Sequence, residues 1–186
     1  MQALYAEVRE LHRIEPRAAW TRWQGGRDAL FARHPQSPLP EAGRGAFRGL
    51  PYWDYDPALN LRARLEPVEH ETFGVGTSGE GAMSFTRFAR LHTPLGSLDA
   101  YWLQDYGGGL FVPLRDATAG TESYGGGRYL LDTAKGADLG SEGGELRLDF
   151  NFSYHPSCRY DPRWVCPLAP PGNRLDVPVR AGERLE

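Results

Sequence analysis

A chain of 186 residues with 40% apolar and 24% charged residues has the composition of a soluble globular protein and is long enough to bury a core without disulfide staples. Its net charge of -3 excludes the basic face that a general nucleic-acid binder needs. No apolar run approaches the roughly 20 residues of a membrane span, so neither a membrane nor a nucleic acid is expected as a partner.

The N-terminus carries Glu7, Arg9 and Glu10 among its first residues, unlike a signal peptide. Together with only two cysteines, this leads to the expectation of a cytoplasmic protein. Of the basic residues, Lys135 is the one lysine and the rest are arginines. Coding bias explains that as well as function does.

Leu4, Val8 and Leu11 recur at helical spacing, which predicts a short amphipathic helix. Pro16 ends it or opens a second one, in which Trp20, Trp23, Leu30 and Phe31 continue the apolar stripe. Gly25 and Gly26 weaken the middle of that second helix. Pro35, Pro38 and Pro40 close the region as a linker. Residues 1–40 thus read as a helical segment packed on a β domain over 41–186, the two forming one structural domain.

From Phe47 onward the period changes to two. Leu59, Leu61, Ala63 and Leu65 alternate with polar residues, as in a half-buried strand. Ala82 to Leu91, Ser97 to Asp105, Leu110 to Leu114 and Arg128 to Asp132 read as further strands. The cleanest alternation runs from Leu146 to Tyr154. It places Asp149, Asn151 and Ser153 on one face of a strand and Phe150 and Phe152 on the other. Leu175, Val177 and Val179 suggest a last strand, with Pro178 at an edge or bulge. Short strands, Gly-rich turns and no intervening helices indicate a mainly β fold: an antiparallel β-barrel or β-sandwich with an N-terminal helical segment.

Several motifs are weaker than they look. Gly74-Val-Gly-Thr-Ser-Gly79 matches a dinucleotide fingerprint, but the segment after it, Gly81 to Phe88, is strand-like rather than helical. Gly107-Gly108-Gly109 and Gly125-Gly126-Gly127 could bring amides to an anion, but tight turns between strands fit better. His155, Cys158 and Cys166 form a His-x2-Cys-x7-Cys array, three zinc-ligand types where a structural site usually has four ligands. His70, His92 or Asp161 would have to complete it. Ordinary buried thiols are the plain alternative, and a close Cys158–Cys166 thiol pair or disulfide is favoured over metal. Cys158 as a nucleophile would need a base or a helix N-terminus to lower its pKa.

The polar residues are the most suggestive feature. Asp116, Thr118, Glu122, Tyr124 and Arg128 fall in one loop-and-strand segment, and Asp149 and Asn151 in the strongest strand. Acids, one arginine, an amide and tyrosines differ from a solvated Lys/Glu face and favour a cavity wall. Arg128 could clamp a carboxylate or phosphate, or bridge Asp116 or Asp149 structurally.

These stretches also carry a resemblance. Leu110 to Tyr129, Asp149 to Tyr160 and Cys166 to Glu183 resemble the motifs of domain of unknown function family 1684 (DUF1684). Ser37-Pro38-Leu39 and the Phe47 to Tyr52 segment are similar to it as well. The chain departs from the family pattern at Leu114, where Phe is usual, at Ser123, where Thr is usual, and at His155, where Asn is usual. The resemblance implies a shared fold and a shared site, and names no activity.

The expected function is therefore a small-molecule-binding pocket, with an enzymatic reaction, a cofactor and an oligomeric state all left unspecified. Asp116, Thr118, Glu122, Tyr124, Arg128, Asp149, Asn151, Tyr154, His155 and Asn173 are its candidate lining. The alternatives are a non-catalytic interaction domain with a buried polar network, and a Cys/His zinc or thiol site.

Overall fold

The computed structural model describes residues 1–104 and 108–186. Two helices open the chain, α1 (Gln2–His12) and α2 (Pro16–Arg33). Pro16 begins α2, where its missing N–H costs nothing. The helix runs unbroken through Gly25 and Gly26. A Cβ on Gly26 would sit 2.5 Å from Leu4 Cδ1, so the glycine lets α1 lie close against α2. A single turn, α3 (Glu41–Arg44), comes after the proline linker, where no helical period is present in the sequence.

Among the described residues eight strands follow: β1 (Asn60–Arg64), β2 (Glu66–Gly76), β3 (Ala82–Thr93), β4 (Gly96–Leu103), β5 (Leu110–Leu114), β6 (Arg128–Asp132), β7 (Ser141–Glu142) and β8 (Glu145–Asp149). They form two antiparallel sheets, one of order β2-β3-β4-β5-β6 and one of order β1-β8-β7. The fold is mainly β, as expected, and among the described residues no strand set closes into a barrel. β2 and β3 pair directly across the Gly74–Gly79 fingerprint, where a dinucleotide site would need a helix. The end of the expected Ser97–Asp105 strand and the first glycine of the Gly107–Gly109 turn lie outside the described residues.

Alternation along the larger sheet explains how it is buried on both faces. Phe85, Tyr101, Phe111 and Tyr129 join Tyr5 and Val8 of α1 and Trp23 of α2 in one apolar cluster. Leu98, Ala100, Val112 and Leu114 point the other way and join Ala63 of β1 and Leu148 of β8 in a second. The helices thus cover one face, and the small sheet contributes to covering the other.

Two strand expectations are corrected. The Leu146–Tyr154 segment leaves the strand at Asp149 and turns into a 3-10 helix over Phe150–Phe152. Asp149 Oδ1 accepts from Asn151 N at 3.0 Å, a local cap that competes with continued extension. Phe150 and Phe152 accordingly enter different apolar clusters instead of one face. Leu175, Val177 and Val179 form no strand either. Val179 is buried and Val177 is exposed, with single bridges at Arg174 and Glu183 replacing a ladder.

That irregular C-terminal segment is held by side chains. The Arg128 guanidinium, fully buried, donates to the carbonyls of Ala181, Glu183 (3.3 Å) and Val179 (2.7 Å), and Nη2 lies 3.3 Å from Asp116 Oδ1. Asp116 Oδ2 in turn accepts from Val179 N at 2.5 Å. Gly182 has φ +76°, and a Cβ there would collide with the Ser153 carbonyl, so the tight approach requires glycine.

Removing the arginine strands a buried carboxylate and several carbonyls. Arg128→Ala is therefore expected to cost about 3–5 kcal/mol in urea denaturation. A loss under about 1 kcal/mol would contradict this role, because that is the range of an exposed ion pair.

Candidate functional site

The polar residues singled out in the sequence separate into several clusters. In the first, Asp116 accepts from Thr118 Oγ1 at 2.9 Å and pairs with Arg128, while Thr118 Oγ1 shares a 2.8 Å hydrogen bond with Ser123. In the second, Asp149 Oδ2 meets His12 Nε2 at 2.9 Å and accepts from Tyr55 OH at 3.2 Å. Asn151 in that cluster donates to Asp149 Oδ1 (2.7 Å) and the Asp56 carbonyl (2.8 Å), and accepts from Asp56 N (2.8 Å). In the third, Asn173 Oδ1 accepts from Asp99 N and Tyr101 OH, and its Nδ2 donates to the carbonyls of Asp99 and Pro113. Arg128, Asp149, Asn151 and Asn173 are all buried, and none of them lines one of the molecule's main cavities. Glu122 stands apart at the surface, where Arg180 holds it with two 2.8 Å hydrogen bonds that keep its pKa below the ordinary value.

His155 lies beside a buried ion pair that sequence reasoning missed. Arg27 of α2 donates to Glu183 Oε2 at 2.6 Å and sits over the rings of Trp23, Phe31 and Tyr154. Glu183 Oε2 also accepts the His155 backbone N–H at 2.9 Å. The imidazole Nε2 accepts from Tyr124 N at 3.1 Å, so a neutral ring carries its proton on Nδ1, which lies 3.8 Å from Glu183 Oε1. Tyr154 and His155 border a small cavity of about 70 Å³.

A larger cavity, about 180 Å³, opens where β3, β4, β5 and β6 meet the Ser157–Pro167 loop. Met83, Leu103 and Phe111 form its apolar sheet side, and Val165 and Pro167 its loop side. Its polar wall has Asp132, Lys135, Trp164 and Cys166. Asp132 Oδ2 is 3.0 Å from Lys135 Nζ and accepts from Tyr154 OH at 3.4 Å. Among the described residues, Asp132 Oδ1 is buried with no hydrogen-bond partner, and so is Trp164 Nε1. Such groups are costly to bury unpaired. Neither Asp132 nor Trp164 stood out in the sequence; the one available signal was Lys135, the lone lysine.

Both cysteines are free; Cys166 lines this cavity, and Cys158 lies within hydrogen-bond reach of it. Cys158 is half-buried, and hydrogen bonds from Cys166, Ser78 and Tyr124 reach its sulfur and hold its pKa down at about 6. The same contact, together with burial, pushes Cys166 up. Tyr124 OH is 3.8 Å from Cys158 Sγ, and burial followed by that sulfur pushes the phenol up to about 12. Among the described residues, no group of three or more His, Cys, Asp or Glu side chains is arranged to hold a metal ion. His155 faces Glu183 and Tyr124, His92 pairs with Glu66, and Asp161 pairs with Arg163. No helix among the described residues is long and apolar enough to cross a membrane.

Burial first, then Arg128, Arg159 and Arg27, pushes His155 down to about 2. An unfolded histidine titrates near 6.5, so between these values the unfolded chain binds a proton that the folded one refuses. The resulting stability is complete above about pH 6.5 and is lost as pH falls, by up to ~1.4 kcal/mol per pH unit. His155→Asn removes that titration while keeping an acceptor for Tyr124 N. Urea denaturation at about pH 7 and about pH 5 is expected to show a smaller acid loss in the variant than in the parent. Equal losses would contradict a buried neutral imidazole.

The comparisons with known proteins agree with the motifs. None of the curated proteins matches the chain. A solution NMR structure of an uncharacterized protein from Haloarcula marismortui is 35% identical, with a TM-score of 0.60. The match covers 92% of this chain and 97% of that one. The model for "Protein of unknown function (DUF1684)" matches residues 45–184, and the chain belongs to that family.

Proposed function

We propose that this protein binds a small molecule in the cavity between β6 and the Ser157–Pro167 loop. The observation that carries this reading is Asp132, which lines that cavity and whose Oδ1 is a buried carboxylate oxygen without a hydrogen-bond partner among the described residues. A ligand donor, either a hydroxyl or a protonated amine, would satisfy it. Trp164 Nε1 offers a complementary donor to a ligand acceptor. Met83, Leu103 and Phe111 would pack on an apolar body. At about 180 Å³ the cavity is smaller than the ~300–1,000 Å³ of pockets that take drug-sized ligands, which limits the ligand to a small one.

On this reading the Asp116–Arg128, Asp149–Asn151 and Asn173 clusters are structural. Most of their hydrogen bonds run to groups within the protein: Asn173 alone makes four, to backbone and Tyr101. Networks of that kind rigidify a fold, and none of these residues lines the cavity.

Native mass spectrometry of protein purified without unfolding is expected to show a retained small-molecule adduct. Failing a retained ligand, small primary amines and alcohols are expected to raise Tm in a thermal-shift panel. Asp132→Asn should weaken the interaction at least tenfold, since a charge-assisted hydrogen bond is worth about 1.5–3 kcal/mol. Circular dichroism of the variant controls for folding. No adduct and no shift in the parent protein, or unchanged binding in folded Asp132→Asn, contradicts the proposal.

A further inference from the structure

The cysteine pair is built for chemistry that ligand binding does not use. Cys158 is carried on a 3-10 turn, Ser157–Arg159, and is half-exposed, whereas Cys166 is buried. The loop between them is closed by a turn in which Trp164 N donates to the Asp161 carbonyl at 3.1 Å. Arg163 N also donates, to Asp161 Oδ1, at 3.0 Å. Cys166 is clamped on both sides by Ser78: Ser78 N donates to the Cys166 carbonyl at 2.9 Å, and Cys166 N to Ser78 Oγ at 3.1 Å. Cys166 is thus anchored beside the end of β2, with Cys158 within hydrogen-bond reach of its thiol. Tyr124 OH lies 3.8 Å from Cys158 Sγ, and Cys166 and Ser78 lie beside the same sulfur. A sulfur surrounded by donors is stabilised as the thiolate, the form that attacks.

We propose that Cys158 and Cys166 are a redox dithiol that reduces a hydroperoxide, Cys158 attacking and Cys166 resolving. The Cys158 thiolate displaces the O–O bond of ROOH and takes the terminal OH as a sulfenic acid. The leaving alkoxide takes the Cys166 proton and departs as ROH. The Cys166 thiolate then attacks the Cys158 sulfur, forming the disulfide and releasing hydroxide, which solvent protonates. One peroxide is reduced by two electrons, and one dithiol is oxidised by two. An external dithiol returns the pair to its starting state by thiol–disulfide exchange. This activity is independent of the ligand proposal: it needs the two sulfurs and their donors, not Asp132 or Trp164.

The test is treatment of the full chain with one equivalent of hydrogen peroxide, followed by alkylation and intact-mass analysis. The expected product is a monomer lighter by two hydrogen atoms with no alkylatable thiol, restored by dithiothreitol. Cys166→Ala is expected to stop at a Cys158 sulfenic acid that dimedone traps, and Cys158→Ala to leave Cys166 reduced. In the untreated protein, Cys158 is expected to alkylate at about pH 6 roughly tenfold faster than free cysteine. The gain in thiolate fraction outweighs the lower intrinsic nucleophilicity. Tyr124→Phe, which removes one donor without touching either sulfur, should move the midpoint of that rate–pH profile upward. Two thiols that stay alkylatable after peroxide, an intermolecular disulfide as the main product, or Cys166 alkylating first would each overturn the proposal. So would a Tyr124→Phe profile that does not move.

Discussion

The buried Arg128 guanidinium fixes what the chain's hydrogen-bonded ladders cannot. Beyond Asn173 the chain contains no strand or helix, yet Val179, Ala181 and Glu183 are among the most buried residues of the molecule. Their carbonyls need donors, and Arg128 supplies three of those contacts from the start of β6. Its charge is balanced by Asp116, which also accepts the Val179 amide, and Trp53 lies over its face at 5.0 Å. One arginine thus joins β6, the loop after β5 and the C-terminus. Arg27 repeats the device from α2, pairing with Glu183 in the same segment. Helices and sheet are tied to one strap of irregular backbone by two cations, each buried and each paired.

Buried polar atoms without a partner differ in what lies beside them. Where the strap, β8 and α1 meet, His12 Nδ1, Arg128 Nε, Ser153 Oγ and Glu183 Oε1 have no hydrogen-bond partner among the described residues, but none of these residues lines the cavity. Across the sheet, beside the Ser157–Pro167 loop, Asp132 Oδ1 and Trp164 Nε1 have none among the described residues, and a cavity lies next to them. Cys166 lines that cavity, with Cys158 beside it. The contrast is what directs the functional reading to this end of the sheet and away from the acid-and-amide clusters that dominate the motifs.

Much of the fold was legible in the sequence because period-two alternation marks strands that are buried on at least one face. β3, β5 and β6 fell where the alternation put them, as did the described part of β4 and the two N-terminal helices. The alternation misled at Asp149, where a side-chain cap to Asn151 N ended the strand although the apolar spacing continued. It misled again at Leu175–Val179, where burial comes from Arg128 and Asp116 rather than from a ladder. The Arg128–Asp116 pair was readable because the partners lie near each other in sequence. His12–Asp149 and Arg27–Glu183 were not, since they join residues 137 and 156 positions apart. The cavity had no local signature either: its walls come from four strands and a distant loop, brought together only by folding.

The central claim is that side chains hold the C-terminal strap as firmly as ladders hold the sheet. Amide hydrogen exchange tests it most directly. Val179 N donates to Asp116 Oδ2, Glu183 N to the Ser153 carbonyl and Arg184 N to the Pro51 carbonyl. These three amides are predicted to exchange only with global unfolding, at the same free energy as the β3 and β4 amides. Exchange of all three at a much lower free energy, with the sheet still protected, would show the strap opening on its own and contradict the account.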